Sequence, residues 1–292
     1  MNHGQFIWKP GRRMRLDDFD PGFTGGFGGE RDAAESMERD CAELAKYQDL
    51  LMAHETYGVL VLFQAMDGAG KDSTIKHVMS TLDPQGCEVK MFKKMTEKEV
   101  RHDYLWRASG ALPARGQIGI FNRSYYEHLL ADRLDPEHLD EQRLPEELKK
   151  PSVWARRYRH VNNFEQYLVE NGILVLKFFL HLSFAEQRER LLERTTLPEK
   201  KWKFSTSDIE NRGRWGEHMK LYEEVFNRTS TRRAPWHIIP ADHRWFTRAA
   251  VASVVAAKLK SLHKRYPVPD AAQRKEMEKA RRLLEKERGA GE

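Results

Sequence analysis

Cysteine is scarce in this sequence of 292 residues, which contains only Cys41 and Cys87. Two cysteines cannot build a disulfide framework or a cysteine-rich zinc site, so both are excluded. Long apolar runs are also missing, because the most apolar stretch, residues 173–182, is far too short to span a bilayer. The first residues show no basic flank ahead of an apolar segment, as a signal peptide would. We therefore predict a cytoplasmic protein that does not enter a membrane.

A large excess of one charge sign is absent as well. The chain has 50 Lys and Arg residues and 44 Asp and Glu residues, which leaves a net charge of +6. This balance suits a protein that handles anionic ligands, but it is too small to require a nucleic-acid-binding surface. None of the 12 histidines lies in a zinc-binding spacing, so we do not expect zinc chemistry.

Short apolar runs alternate with helical patterns through most of the chain. Such runs are typical of strands that are buried on both faces of a parallel sheet. We predict strands at residues 57–63, 88–93, 117–121, 172–180 and 236–240. We predict helices at residues 30–54, 71–82, 97–108, 153–170, 184–194 and 245–263, and one that begins at residue 124. Five strands that alternate with helices predict one doubly wound α/β domain.

The two ends of the chain differ from this middle part. Residues 1–30 include the glycine-rich segment 21–29 and predict a flexible arm, although Phe23 and Phe27 offer a means of docking it. Residues 269–292 are charged and have few apolar positions, which predicts a solvated helix. The folded domain is therefore expected at residues 31–268.

A glycine-containing turn, residues 64–71 (QAMDGAGK), follows the first predicted strand. In such a turn, backbone N–H groups and a helix N-terminus face a phosphate, and a lysine, here Lys71, reaches its oxygens. The standard pattern G-x-x-x-x-G-K-[ST] is not met, because Ala65 replaces the first glycine and Asp72 follows the lysine. Without the hydroxyl that usually holds Mg²⁺, Asp67 and Asp72 are candidates for that role. The alternative is an ordinary turn between a strand and a helix.

Polar residues also follow the third predicted strand directly. In a parallel sheet, ligands bind beyond the carboxyl ends of the strands, so Asn122, Arg123 and Glu127 should lie beside the turn. Arg123 suits bidentate phosphate binding, and Glu127 suits a metal ion. The alternative makes Asn122 a helix cap and the other two residues an i,i+4 surface pair.

Charge is dense in residues 188–214, which contain the basic and aromatic stretch KKWKF at residues 200–204. A lid that closes over a phosphate chain would need such a segment. A solvated helix pair with one buried Trp fits the charge pattern equally well. Lys93, at the end of the second strand, is a candidate to extend the anion-binding track.

Five segments of the sequence resemble polyphosphate kinase family 2, in the same order and spacing from about residue 30 to residue 267. They are residues 61–80 (VLFQAMDGAGKDSTIKHVMS), 102–107 (HDYLWR), 121–127 (FNRSYYE), 201–204 (KWKF) and 234–242 (APWHIIPAD). The resemblance implies a P-loop kinase fold, a three-layer α/β sandwich with a five-stranded parallel sheet and a helical lid at about 188–215. It also implies a homo-oligomer and reversible phosphoryl transfer between inorganic polyphosphate and a nucleotide, with Mg²⁺ required and Mn²⁺ as an alternative ion.

The resemblance assigns roles to individual residues. The expected catalytic residues are Asp67, Lys71, Asn122, Arg123 and Arg194. The expected metal ligands are Asp67 and Glu127. We expect further substrate contacts from Gly68, Ala69, Gly70, Asp72, Ser73, Lys93, Lys203 and Arg212.

Asn122 indicates which nucleotides are accepted. Family members that are limited to nucleoside diphosphates tend to carry Asp at this position, whereas members that also accept monophosphates carry Asn. The chain therefore resembles the third class, which takes AMP through ADP to ATP, or the guanine counterparts. That class usually has an acid where this chain has His128, so Asp67 and Glu127 would carry more of the magnesium binding.

Two other functions fit parts of the sequence. A nucleoside monophosphate kinase with ATP as donor would share the fold and the lid, but such kinases usually keep the complete Gly…Lys-Ser/Thr loop. A nucleic-acid-binding module would use the basic stretches and Trp residues for stacking and phosphate contacts. The near balance of charges and the lack of a base-reading motif argue against it, so we expect polyphosphate and a nucleotide as partners and no nucleic acid.

Overall fold

A five-stranded parallel sheet forms the centre of the computed structural model, which describes residues 1–135, 137–262 and 265–290. Its strands are β1 (Gly58–Gln64), β2 (Cys87–Met91), β3 (Ile118–Asn122), β4 (Ile173–His181) and β5 (Trp236–Pro240). Their order across the sheet is β2-β3-β1-β4-β5, and every pairing is parallel. The predicted α/β fold with five parallel strands is confirmed.

Helices cover both faces of this sheet. The α-helices of the described part of the chain are α1 (Glu30–His54), α2 (Lys71–Met79), α3 (Glu97–Val100), α4 (Trp106–Ser109), α5 (Glu127–Leu134), α6 (Glu137–Asp140), α7 (Val153–Glu170), α8 (Phe184–Thr196), α9 (Thr206–Gly213), α10 (Trp215–Thr229), α11 (Arg244–Lys260) and α12 (Ala271–Ala290). No helix among the described residues is both long and apolar enough to cross a membrane.

Burial on both faces explains why the strands are nearly uninterrupted apolar runs. Every residue of β1 and of β3 is buried. One apolar layer, which includes Leu44 of α1 and Val255 of α11, packs on the first face. A second layer, which includes Val161 of α7 and Phe226 of α10, packs on the other face. Together the two layers make the three-layer sandwich.

Strand order also determines where a ligand can bind. β1 lies between β3 and β4, so the chain runs to one side of β1 for β2 and β3 and to the other side for β4 and β5. In open parallel sheets, ligand crevices form outside the carboxyl ends of the strands at such a switch point. The turn after β1 therefore lies at the place where the topology opens a cleft.

The first 30 residues differ from the predicted flexible arm, because they pack on the domain. The Trp8 side chain is fully buried, and its backbone N–H donates to the carbonyl of Trp236 in β5 at 2.9 Å. Phe23 and Phe27 contact the ring of Phe246. β5 is an edge strand, and covering such an edge protects its unpaired backbone groups and apolar side chains. The sequence pattern missed this docking because the segment has no periodic apolar face.

Two predicted helices have different bounds. The helix predicted at residues 97–108 is divided into α3 and α4, which are separated by residues 101–105. The helix predicted from residue 124 begins at Glu127, because residues 123–126 form a bend and turn at the end of β3. At the C-terminal end, the side chains of residues 271–287 in α12 are exposed, as expected for a solvated helix.

Candidate active site

A cleft of about 1210 Å³ opens at the carboxyl edge of the sheet. It is lined by residues of the loop between β1 and α2, by residues that follow β2 and β3, and by residues of α8, α9 and α11 together with the segment between α8 and α9. Of the residues predicted for the site, the cleft is lined by Asp67, Gly68, Gly70, Lys71, Asp72, Ser73, Lys93, Asn122, Arg123, Glu127, Arg194 and Lys203. One concave site thus contains groups from distant parts of the sequence.

Two glycines shape the loop between β1 and α2. Gly68 and Gly70 have φ values of 86° and 94°, in the region that favours glycine because a Cβ would be strained there. Gly70 directly precedes the first residue of α2, Lys71. The backbone thus turns sharply and presents the start of a helix to the cleft, which is the geometry of an anion-binding turn.

Lys71 is held under this loop. Its Nζ donates to the carbonyl of Ala65 at 2.9 Å. Burial lowers the pKa of Lys71 to about 8, helped by Arg123 and opposed by the nearby carboxylates Asp67 and Glu127. With this pKa the ammonium group is mostly charged at neutral pH and loses its charge when the pH rises above about 8.

Asp67 is clamped by two donors from other elements. Arg123 Nη2 donates to its Oδ1 at 2.9 Å, and Asn211 Nδ2 of α9 donates to its Oδ2 at 3.1 Å. Burial alone would raise the pKa of Asp67, but Lys71, Arg123 and the Asn211 hydrogen bond outweigh it, so the pKa is lowered. Asp67 is therefore an ionised carboxylate near neutral pH, available for orienting a substrate or holding a cation.

Arg123 lies between two acids at the end of β3. Its Nη1 donates to Glu127 Oε2 at 3.1 Å while its Nη2 bonds to Asp67, and the charge of Glu127 raises the pKa of Arg123. The backbone of Arg123 has a φ of 62°, which is uncommon for a residue other than glycine. Unusual backbone conformations concentrate at functional sites, because the surrounding structure must hold them in place.

Asn122 is paired with the acid that follows the loop lysine. Its Nδ2 donates to Asp72 Oδ1 at 2.8 Å, and Lys203 Nζ lies 3.6 Å from the other oxygen of Asp72. Burial would raise the pKa of Asp72, but these two partners and Lys71 lower it. The side-chain amide of Asn122 thus faces the cleft beside a charged carboxylate.

The basic segment at residues 188–214 forms a helical lid beside the loop. α8 leads into a 3₁₀ turn at Pro198–Lys203 and then into α9. Arg194 Nη1 of α8 donates to Asp208 Oδ2 of α9 at 2.5 Å, which ties the two helices together. Trp202 is 77% exposed at the rim of the cleft, so the alternative with a buried Trp does not describe this segment.

Two predicted substrate contacts do not line the cleft. Ala69 is buried in the loop, where its carbonyl accepts from Arg190. Arg212 stacks on the ring of Phe184 and donates to the carbonyl of the same residue at 2.7 Å. In this structure Ala69 links the loop to α8, and Arg212 links α9 to the start of α8.

Several residues that sequence reasoning did not single out also build the site. Gln187 Nε2 donates to the carbonyl of Asp67 at 2.9 Å, and Arg190 donates to the carbonyls of Gly68 and Ala69. Arg107 of α4 and Arg248 of α11 also line the cleft, and Arg248 Nη2 donates to Ser73 Oγ of α2 at 2.8 Å. The sequence contained one signal for them. Positions 187, 190 and 194 are spaced so that they lie on one face of a helix, and side chains on one face can contact the same neighbouring element.

The carboxylates of the cleft can be tested as ligands for Mg²⁺. Among the described residues, no group of three or more His, Cys, Asp or Glu residues is arranged to hold a metal ion. Mg²⁺ is commonly bound by one or two carboxylates together with substrate phosphates. Asp67 and Glu127, held on either side of Arg123, fit an ion that arrives with a phosphate chain.

Comparisons with known proteins agree with this geometry. A family model described as "Polyphosphate kinase 2" matches residues 29–267. The chain is 45% identical over 251 residues to "ADP-polyphosphate phosphotransferase" of Rhodopseudomonas palustris, covering 86% of this chain and 87% of that protein. It is 41% identical over 268 residues to "AMP/ADP-polyphosphate phosphotransferase" of Meiothermus ruber, covering 91% and 96%. The crystal structure of polyphosphate kinase 2 from Arthrobacter aurescens TC1 superimposes with a TM-score of 0.84 at 34% identity, covering 94% and 95%.

Proposed function

The chain belongs to the polyphosphate kinase 2 family, and on that premise we propose that it transfers a phosphoryl group reversibly between inorganic polyphosphate and AMP or ADP. The observation that carries this proposal is the cleft itself. Lys71, Arg123 and Asp67 meet there at the start of α2, under a basic lid. This set of charges suits a ligand that carries phosphate on both sides of the reacting centre.

The transfer exchanges one phosphate bond for another. The P–O bond to the terminal phosphoryl group of polyphosphate breaks, and a new P–O bond forms to an oxygen of the terminal phosphate of the nucleotide. The shortened polyphosphate leaves with the electron pair of the broken bond. Such a reaction needs alignment of donor and acceptor and positive charge around the transferring group, and little covalent chemistry from the protein.

The residues of the cleft divide these tasks. Lys71, Arg123 and Arg194 neutralise the transferring phosphoryl group. Asp67, ionised and fixed by two donors, orients the acceptor phosphate. Asn211 and Arg123 keep this carboxylate in one orientation, so it costs little reorganisation when the substrates meet.

Mg²⁺ is the proposed cofactor, with Mn²⁺ as an alternative, held by Asp67 and Glu127. When bound, the ion would polarise phosphate oxygens and offset their negative charge. Arg123 already lies between these two carboxylates, so the chain itself balances part of their charge.

Acceptance of both AMP and ADP is proposed from Asn122. A neutral amide can donate as well as accept, so it tolerates acceptor phosphates that place their oxygens differently. The hydrogen bond from Asn122 to Asp72 directs the amide into the cleft and limits repulsion between that carboxylate and an anionic acceptor.

Family membership also supports two proposals about the whole protein: a homo-oligomer and a cytoplasmic location. Cys41 and Cys87 are both free, in keeping with a reducing compartment. Light scattering after size-exclusion chromatography measures the mass of the protein in solution and so tests the homo-oligomer directly.

The experiment that tests the proposed function compares donors. Initial rates of AMP phosphorylation are measured with polyphosphate and with ATP at equal concentrations of phosphoryl groups, in the presence of Mg²⁺. The proposal expects the higher rate with polyphosphate. A clear preference for ATP would favour the monophosphate kinase instead.

A further inference from the structure

Arg107 of α4 presents a buried guanidinium group to the cleft. Its side chain is only 6% exposed, yet it lines the cavity. Its Nη1 donates to the carbonyl of Lys93 at 2.8 Å, and no partner for its Nε exists among the described residues. The one carboxylate paired with it, Glu99, is 4.0 Å away. A buried cation at the wall of the cleft, whose nearest carboxylate lies only at the limit of ion-pair distance, is set to receive an anion.

His128 holds this guanidinium group in place. Its Nε2 lies 3.3 Å from Arg107 Nη2, and its Nδ1 lies 2.9 Å from Asp132 Oδ2. Because an arginine N–H can only donate, Nε2 must be the acceptor, which assigns the ring hydrogen to Nδ1, where it is donated to Asp132. His128 therefore links a buried acid to the arginine.

The acid at the other end of this link is itself fixed. Arg157 Nη1 donates to Asp132 Oδ2 at 2.8 Å and to the carbonyl of His128 at 2.7 Å. Burial would raise the pKa of Asp132, but the hydrogen bond from His128, the charge of Arg157 and the hydrogen bond from Gln142 lower it to about 2. The imidazole ring thus sits in one orientation, with its Nε2 lone pair aimed at Arg107.

The surroundings indicate which anion Arg107 meets. It lies on the β2 and β3 side of β1, where Met91, Phe92, Met95 and Val100 add apolar surface to the cleft. Another part of the cleft is lined by Arg244 and Arg248 of α11, which donate to Glu193 of α8 and to Ser73 of α2. A nucleoside needs apolar contact for its base, whereas a polyphosphate chain needs only cations and hydrogen-bond donors. The arm that contains Arg107 therefore suits the nucleotide.

We propose that Arg107 binds a phosphate oxygen of the acceptor nucleotide and that His128 is the positioning residue that aims it through Nε2. This inference rests on the proposed function, since it names the acceptor's contacts in that same cleft. It also gives a role to the residue at which this chain departs from the acid that its family resemblance leads one to expect.

Two substitutions at one position separate positioning from a merely structural role. His128→Asn places an amide near the Nδ1 position and keeps a donor for Asp132, but it cannot reach Arg107. His128→Gln places its carbonyl oxygen near the Nε2 position and keeps an acceptor for Arg107. Positioning predicts that the KM for AMP rises about tenfold in His128→Asn, stays within about threefold in His128→Gln, and that the KM for polyphosphate is unchanged in both.

The outcomes are distinct. A structural role through Asp132 predicts the reverse ranking, and that ranking, or equal effects, overturns the inference. His160→Asn, at an exposed histidine of α7, is the matched control, and melting temperatures show whether each variant folds.

If neither variant folds, Arg107→Lys keeps the charge and leaves the His128–Asp132 contact intact, and an unchanged KM for AMP overturns the inference. If the wild-type protein transfers nothing from polyphosphate, the proposed function fails as well.

Discussion

Single side chains in the cleft combine burial with several opposing charges, which makes their ionisation the first property to test. Burial lowers the pKa of Lys71 to about 8, so the free protein loses this charge as the pH rises through that value. Below pH 8 the lysine is protonated and attracts phosphate; above it, the attraction fades. Asp67, whose pKa is lowered, stays ionised throughout this range.

We therefore predict that the KM for polyphosphate rises as the pH is increased from 7.5 to 9.5. The KM should rise by at most about tenfold per pH unit, because Lys71 loses a single proton. Lys71→Arg is the matched control, since its guanidinium group remains charged over this range and should flatten the profile. A wild-type KM that does not change up to pH 9.5 would contradict the assignment.

Asp67→Asn removes a charge while keeping the size of the side chain. The variant loses the carboxylate that orients the acceptor and holds the cation, so we expect kcat to fall about a hundredfold or more. Arg123 keeps Glu127 as a partner, so the melting temperature should change little. Normal turnover at low Mg²⁺ would show that Asp67 is only a turn residue.

Asn122→Asp tests acceptor choice. The new carboxylate would face Asp72 at the 2.8 Å contact that the amide now makes, and both would face an anionic acceptor. We expect AMP phosphorylation to fall far more than ADP phosphorylation, measured as the ratio of the two kcat/KM values. A differential loss of about 1.4 kcal/mol appears as about a tenfold change in that ratio. An unchanged ratio would remove Asn122 as the selecting residue.

At the scale of elements, the lid is tied to the loop at several points. Gln187 and Arg190 of α8 hold loop carbonyls, and Asn211 of α9 holds Asp67. Any movement of α9 away from the sheet must break the Asn211–Asp67 hydrogen bond. In this structure the orientation of the Asp67 carboxylate therefore depends in part on the position of α9.

Local patterns predicted the strands well and the site in part. The bounds of α1, α7 and β5 match those predicted, because their periodicity or continuous apolar character is local. The meeting of Asp67 with Arg123 was expected because parallel strands end at one edge. The sequence did not predict the docking of Trp8 on Trp236 or the contact of Arg190 with Gly68. In each case the two residues are more than 100 positions apart in the chain, so no local pattern indicates the contact.

The N-terminal segment gives a prediction at this scale. Trp8→Ala removes a fully buried ring that stacks on Phe19 and contacts Phe226, so we expect a loss of about 3 to 5 kcal/mol in the free energy of unfolding. Trp202→Ala, at a Trp that is 77% exposed, is the matched control and should leave stability nearly unchanged. Equal denaturation midpoints for the two variants would mean that the segment is a mobile arm after all.

At the scale of the whole molecule, the topology places chemistry at one end of a single domain. The sheet order puts the β1 loop at the switch point, with Met91, Phe92, Met95 and Val100 adding apolar surface on the β2 side of the cleft and Arg244 and Arg248 of α11 lining another part of it. In-line transfer needs a donor and an acceptor that approach from opposite sides of the transferring group. The proposed function assigns these two parts of the cleft to the two substrates.

The most direct test of this account follows both substrates in one sample by ³¹P NMR. Wild-type protein is incubated with polyphosphate, AMP and Mg²⁺, and the loss of polyphosphate phosphoryl groups is compared with the gain of β- and γ-phosphates on the nucleotide. We predict equal amounts of phosphoryl groups lost and gained, with ADP appearing before ATP. We also predict almost no transfer in Lys71→Ala, which should fold normally because the ammonium group of Lys71 bonds to a loop carbonyl and does not pack in the apolar core. Loss of polyphosphate without nucleotide products, or turnover in Lys71→Ala within a few-fold of wild type, would contradict it.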